Sequence, residues 1–279
     1  MDPVLPAWSE PFVRERRAAL ARLPPLDQIT REWAWDGADG SGVTVAILDS
    51  GVEGDHPAVG GRLVASYRVE PAAEPEAEPV VLEEEAAVDV VGHGTACAGI
   101  IHAIAPAADL VSIRVLGPEN RGRGTVFAAG LDFAIERRYP IVNLSLSSKS
   151  EALYGAFHDL ADRAYFAGML LVCAANNLPG ASYPSLFSSV VSVAAHDVAD
   201  PWTFFHNPAP PVEFGAYGLD VPIAWRDGTS IAASGNSFAA PHIAGIAALI
   251  RSRHPSVRPF ELKAILAATA TPLPLAGRA

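Results

Sequence analysis

The chain has 279 residues, 50% of them hydrophobic, which allows one large domain or two small ones with a substantial core. A formal net charge of −11 argues against nucleic acid as a partner. No apolar run approaches the ~20 residues of a membrane span, and Met1-Asp2-Pro3-Val4-Leu5-Pro6 has neither a basic start nor an apolar signal segment, so a cytoplasmic protein without a membrane partner is expected.

Residues 1–29 are Pro-rich and read as an N-terminal extension packed on the surface of a main domain at 30–279. Val43–Leu48 is an apolar strand that ends in Asp49-Ser50-Gly51. The segment 70–87 is acidic and Pro-rich, with seven glutamates from Glu70 to Glu85, and is expected to be a mobile loop. It falls between Asp49 and His93, so it is either a solvated spacer near the site or a means of attracting basic substrate segments. Gly92-His93-Gly94 opens a small-residue helix, Gly94–Ile104. Leu110–Val115, Ile141–Leu146, Met169–Ala174 and Val190–Ala194 then read as strands. Thr125–Arg138, Glu151–Ala167, Ser237–Arg251 and Pro259–Ala268 read as helices. Apolar strands between helices predict an α/β three-layer sandwich: a mostly parallel central sheet covered by helices on both faces. Ligands of such sheets bind at the carboxyl ends of the strands, where Asp49 and Ala174-Ala175-Asn176-Asn177 fall. Cys97 and Cys173 sit in apolar surroundings and read as buried free thiols. Cys97 lies one helical turn beyond His93, on the same face and directly behind it.

Gly235-Asn236-Ser237-Phe238-Ala239-Ala240-Pro241-His242 places a hydroxyl at the head of an apolar helix, where free N–H groups favour a developing negative charge. Pro241 is expected in the first turn of that helix. Asp49, His93 and Ser237, in that chain order, follow one of the known orders of the hydrolytic triad. These three segments resemble the subtilisin-like serine proteases, the subtilase family, and the resemblance runs from about Thr30 to Thr269. Subtilisin itself is the standard example of that order.

The resemblance implies Ser237 as nucleophile, His93 as general base and then acid, and Asp49 as the group that orients the imidazole. Gly228-Thr229-Ser230 also looks like the serine motif, but it lacks the following Pro-His and the apolar helix, so Ser230 is expected on the approach to the nucleophile. Asn177 stands where the family's oxyanion asparagine does, with Asn176 the less favoured candidate in a position usually held by glycine. Ser145, Leu146 and Ser147 match one wall of the substrate strand site and Asn120, Arg121 and Gly122 the other. Ser147 replaces a common glycine, and Ser182 matches the base of the primary pocket. Arg121 and Arg123 either favour acidic side chains upstream of the cut or are simply solvated. No cofactor and no metal are expected. His93 to Pro106 runs without the inserted calcium loop of many secreted relatives, Ala58 follows His56-Pro57 where those relatives have an aspartate, and no zinc signature is present. The chain leaves no room for a long prodomain and is expected to fold unaided. The reading is a serine endopeptidase acting on a peptide or protein through an acyl-enzyme. A peptide-maturation protease or transamidase with the same triad, and a catalytically inactive peptide-binding module, are the alternatives.

Overall fold

Strand β1 (Thr44–Asp49) has no polar face, because Val45, Ala46, Ile47 and Leu48 are all fully buried. Such a strand needs apolar cover on both sides. The computed structural model, which describes residues 6–20, 23–72, 74, 77–209 and 211–273, provides it. A short helix α1 (Arg31–Trp35) precedes β1. Then follow β2 (Leu63–Glu70), β3 (Val80–Glu83), α2 (His93–Ile104), β4 (Asp109–Arg114), α3 (Gly124–Glu136), β5 (Ile141–Leu144), α4 (Tyr154–Phe166) and β6 (Leu170–Ala174). The last part holds β7 (Val191–His196), β8 (Phe204–His206), β9 (Phe214–Tyr217), a hairpin of β10 (Val221–Trp225) and β11 (Thr229–Ala233), α5 (Asn236–Arg253) and α6 (Pro259–Thr269).

Nine of these strands form one sheet, in the order β3-β2-β4-β1-β5-β6-β7-β9-β8. Every pairing from β2 to β9 is parallel, and only the edge strands β3 and β8 run antiparallel to their neighbours. Alternation along the strands divides the core into two layers. Val45, Ile47, Val172 and Val193 turn to one layer with Ile101, Ile243 and Leu262 from α2, α5 and α6. Ala46, Leu48, Val142 and Leu171 turn to the other, with Leu131 of α3 and Phe157 of α4. The fold is thus the α/β three-layer sandwich expected. Helix α5 is buried without a break from Phe238 to Ile250. No helix among the described residues is long and apolar enough to cross a membrane.

The structure adds β2, β8, β9, β10 and β11, which the sequence reading did not place, and it corrects three expectations. The acidic segment is not wholly a loop. Val80–Glu83 pairs with β2 as β3, and Glu84 is held by Arg114, with 2.6 Å between Nη2 and Oε1. The apolar run Val80-Val81-Leu82 and the half-buried cation of Arg114 outweigh the acidic composition there. Glu151–Leu153 forms a separate 3-10 turn before α4. Pro241 lies in the second turn of α5, not the first. Of residues 1–29, Leu23 and Ile29 pack on the core, whereas Trp8 and Phe12 are exposed.

Candidate active site

The site is assembled at the carboxyl end of the sheet. Asp49, the last residue of β1, is fully buried. Its Oδ1 accepts the Ser50 N–H at 2.7 Å, and its two carboxylate oxygens lie 2.8 and 3.0 Å from Nδ1 of His93. Two glycines permit this approach. A Cβ on Gly94 would sit 1.9 Å from the Gly51 carbonyl oxygen, and one on Gly51, at φ +106°, would sit 1.9 Å from that of Val88. Any larger residue at either place would push the first turn of α2 off β1 and His93 off Asp49.

Asp89 fixes the same junction from behind. Its carboxylate accepts Ser50 Oγ at 2.7 Å, Gly92 N at 2.7 Å, Thr95 N at 2.8 Å and Thr95 Oγ1 at 2.7 Å. It therefore caps α2 and ties it to the residue after Asp49. Burial opposes charge on the His93 ring, but the Asp49 carboxylate, aided by Asp89, prevails and holds its pKa above the ordinary 6.5.

Ser237 occupies the first turn of α5, and Pro241 bears on how it is held. Proline has no N–H to donate to the carbonyl four residues back. That carbonyl, Ser237 O, instead accepts Ser145 Oγ at 2.8 Å, with Cys97 Sγ at 3.6 Å. Asn143 Nδ2 donates to Ser145 Oγ at 3.0 Å. Ser145, expected in the substrate wall, thus also secures the nucleophile's backbone.

Asn177 is fixed by its other end. Its Oδ1 accepts the Asn236 N–H at 2.9 Å, which leaves Nδ2 free to turn toward Ser237. A Cβ on Gly235 would lie 3.2 Å from Ser237 Oγ and 3.6 Å from Asn177 Nδ2, so glycine keeps this space open. The Asn236 side chain clamps the surroundings. Its Oδ1 accepts Ala195 N at 2.8 Å, and its Nδ2 donates to the carbonyls of Ala175 at 3.0 Å and Asn176 at 3.3 Å.

One cleft of about 540 Å³ brings these groups together. His93, Ser237, Asn177, Asn176 and Ala174–Ala175 line it beside Ser145, Leu146, Ser147 and Ser148, with Asn120, Arg121 and Gly122 further along. Ser182 departs from expectation, whereas Asn176 and Ser230 do not. Ser182 does not line the cleft. It is buried with its Oγ 2.8 Å from that of Ser185, so it supports the Tyr183-Pro184 turn from inside. Asn176 spends its side chain on a local turn, accepting Leu178 N at 2.8 Å. Ser230 lies on β11, opposite Ala224 of β10, and does not line the cleft.

The family model of the subtilase family matches residues 40–278. The chain belongs to the subtilase family. It is 34% identical to a thermostable alkaline protease of Halalkalibacterium halodurans, over 84% of this chain and 64% of that protein. It is 30% identical to thermitase of Thermoactinomyces vulgaris, over 79% of this chain and 78% of the relative. A solved cold-adapted subtilisin-like serine proteinase superposes with a TM-score of 0.66 at 26% identity, covering 87% of this chain and 89% of that one. This subtilase is a serine peptidase of the subtilisin type.

Asp49, His93 and Cys97 place one potential metal-ligand atom each within 4.8 Å of one another. Burial, reinforced by Asp49, raises the Cys97 thiol well above its ordinary value and so disfavours the thiolate. The sequence reading missed Asp89 as a cap. Its signal is an acid four residues before a histidine at a helix start. It also gave the Asn236 side chain no role, because its three partners lie on segments distant in sequence.

Proposed function

We propose that this subtilase hydrolyses internal peptide bonds with Ser237 as nucleophile, His93 as proton carrier and Asp49 as its orienting partner. The observation that carries the reading is the buried Asp49–His93 hydrogen bond in a cleft that also exposes Ser237 and Asn177. Ser237 Oγ would attack the scissile carbonyl carbon while His93 Nε2 takes its proton. Asp49 at Nδ1 fixes the tautomer and stabilises the imidazolium. The carbonyl π pair moves to oxygen, and that oxyanion is met by Asn177 Nδ2 and the Ser237 N–H. As the tetrahedral intermediate collapses, the C–N bond breaks and His93 gives its proton to the departing amine. Water, activated by the same ring, then cleaves the acyl-enzyme ester and regenerates Ser237.

The substrate is an extended peptide laid between Ser145–Ser147 and Asn120–Gly122. Helix α2 runs unbroken from His93 to Ile104, with no inserted oxygen-rich loop, which supports the reading that the tight calcium of secreted relatives has no place there. The two buried free thiols, Cys97 and Cys173, suit a reducing, intracellular setting. A fluorophosphonate probe followed by peptide mapping tests the assignment. The adduct should lie on Ser237, persist in Ser230→Ala and vanish in Ser237→Ala. An adduct on Ser230 would refute it.

A further inference from the structure

We propose that Arg121 and Arg123 make this peptidase select substrates with acidic side chains upstream of the scissile bond, a specificity that rests on the peptidase reading above. The active-site cleft does not stop at Arg121. Leu116, Arg121 and Gly122 also line a second hollow of about 340 Å³, whose other walls include Arg68, Arg114 and Arg123. A peptide extending from Ser237 past Arg121 therefore enters a space whose walls hold one acid, Glu70, and four arginines.

Two of those four are neutralised within the protein. Arg68 Nε lies 2.8 Å from Glu70 Oε1, and Arg114 Nη2 lies 2.6 Å from Glu84 Oε1. Arg121 and Arg123 are exposed and have no side-chain hydrogen bond or ion pair among the described residues. Leaving both unpaired is unexpected in a chain with 31 acidic residues against 20 lysines and arginines. The backbone beneath them is held in place. Gly117 N donates to Arg121 O at 2.8 Å, and a Cβ on Gly122 would lie 2.4 Å from Val115 O. Helix α3 starts at Gly124 without a side-chain cap, so its free N–H groups add potential of the same sign. Glu119, in the same turn, lines neither hollow. Glu70 and Glu84, two charges of the acidic segment that could have drawn basic substrates here, are the partners of Arg68 and Arg114.

An exposed ion pair changes binding by a factor of a few. Two acidic side chains facing Arg121 and Arg123 should together change kcat/KM about tenfold at low salt. The test uses three internally quenched peptides that differ only at two upstream positions, bearing Glu-Glu, Gln-Gln or Lys-Lys. The wild type should cleave the Glu peptide about tenfold better than the Gln peptide, and the Lys peptide worst. The Glu preference should shrink to roughly two- to threefold near 0.5 M salt, where screening acts within about 4 Å. Arg121→Gln/Arg123→Gln should bring the Glu-to-Gln ratio close to one, and Arg121→Glu/Arg123→Glu should invert it. Each ratio is internal to one enzyme, and probe labelling of Ser237 counts its folded active sites, so a misfolded variant cannot imitate the result. Equal rates for the three peptides in the wild type, or a Glu preference that survives both double variants, would overturn the specificity and leave the peptidase reading standing. Failure to cleave any of the three would bring down both.

Discussion

Replacing Asn236 by alanine should lower kcat roughly 10- to 50-fold with little change in KM. The substitution removes the acceptor of Ala195 N at 2.8 Å and the donor to the Ala175 and Asn176 carbonyls at 3.0 and 3.3 Å. Three hydrogen bonds at about 1 kcal/mol each, one of them long, give a stability loss of about 2–3 kcal/mol. The Asn236 N–H that holds Asn177 Oδ1 remains, but the segment on which Asn177 sits loses both carbonyl anchors. Nδ2 then loses its fixed aim at the oxyanion. The ceiling on the damage is complete loss of that donor, roughly 10²–10³ in kcat. Because the interaction exists only in the transition state, kcat should carry the loss. Steady-state kinetics on a neutral chromogenic peptide, normalised by active-site titration, gives kcat for Asn236→Ala, Asn177→Ala and the double variant. The double variant should be no slower than Asn177→Ala, because both act through one amide. A wild-type kcat in Asn236→Ala, or losses that multiply in the double variant, would refute the argument. Threonine at 236 can accept from Ala195 N but cannot reach two carbonyls at once, so Asn236→Thr should fall between.

Catalysis needs neutral His93, and its pKa is raised, so the acid limb of kcat/KM should have its midpoint above 6.5; a midpoint at or below that value would contradict the coupling to Asp49. Mercurials should inactivate the enzyme slowly, since the Cys97 thiol is buried and held protonated 3.2 Å from Ser145 Oγ, and Cys97→Ala should abolish the effect; inhibition that persists would point to Cys173. Burial lowers His242 to about 4, so the unfolded chain takes up a proton before the folded one and stability is lost as pH falls from 6.5 toward 4, by about 3 kcal/mol. Urea titrations should show that fall blunted in His242→Met, and equal pH dependence in the two proteins would reject it. EDTA should leave Tm nearly unchanged, whereas a large drop reversed by calcium would reveal a metal site that α2 does not provide.

Five of the parallel strands, β1, β4, β5, β6 and β7, were legible because each is an apolar run ended by a polar turn, whereas β2 and β9, with less continuous burial, were not. Observed limits fall within two residues of those expected: Thr44–Asp49 against Val43–Leu48, and Leu170–Ala174 against Met169–Ala174. The edge strands and the β10–β11 hairpin were not legible, since β8 has three residues and β11 is largely exposed. Composition also misled at Val80–Glu83, where flanking glutamates and prolines hide a short apolar strand. In the site, motif wording identified the residues that line the cleft but not the buried ones beneath them. Asp89, Asn143 and Asn236 act through partners on other elements, and no spacing rule links Asn236 to Ala195. Ser182 shows the converse error, a position carried over from a resemblance that the fold places inside the protein.

Helix α5 packs against α2 and against β5, β6, β7 and β9 at once, and it brings Ser237 and Asn236 with it. Asp49 and His93 lie on elements well before residues 236–253 in the chain. Until helix α5 is in its slot, His93 has no Ser237 beside it and the carbonyls of Ala175 and Asn176 lack the Asn236 side chain that anchors them. The same insertion covers the sheet face that would otherwise offer extended segments to a neighbouring protease. Completing the site and covering that face of the sheet are thus one packing event, carried by one helix.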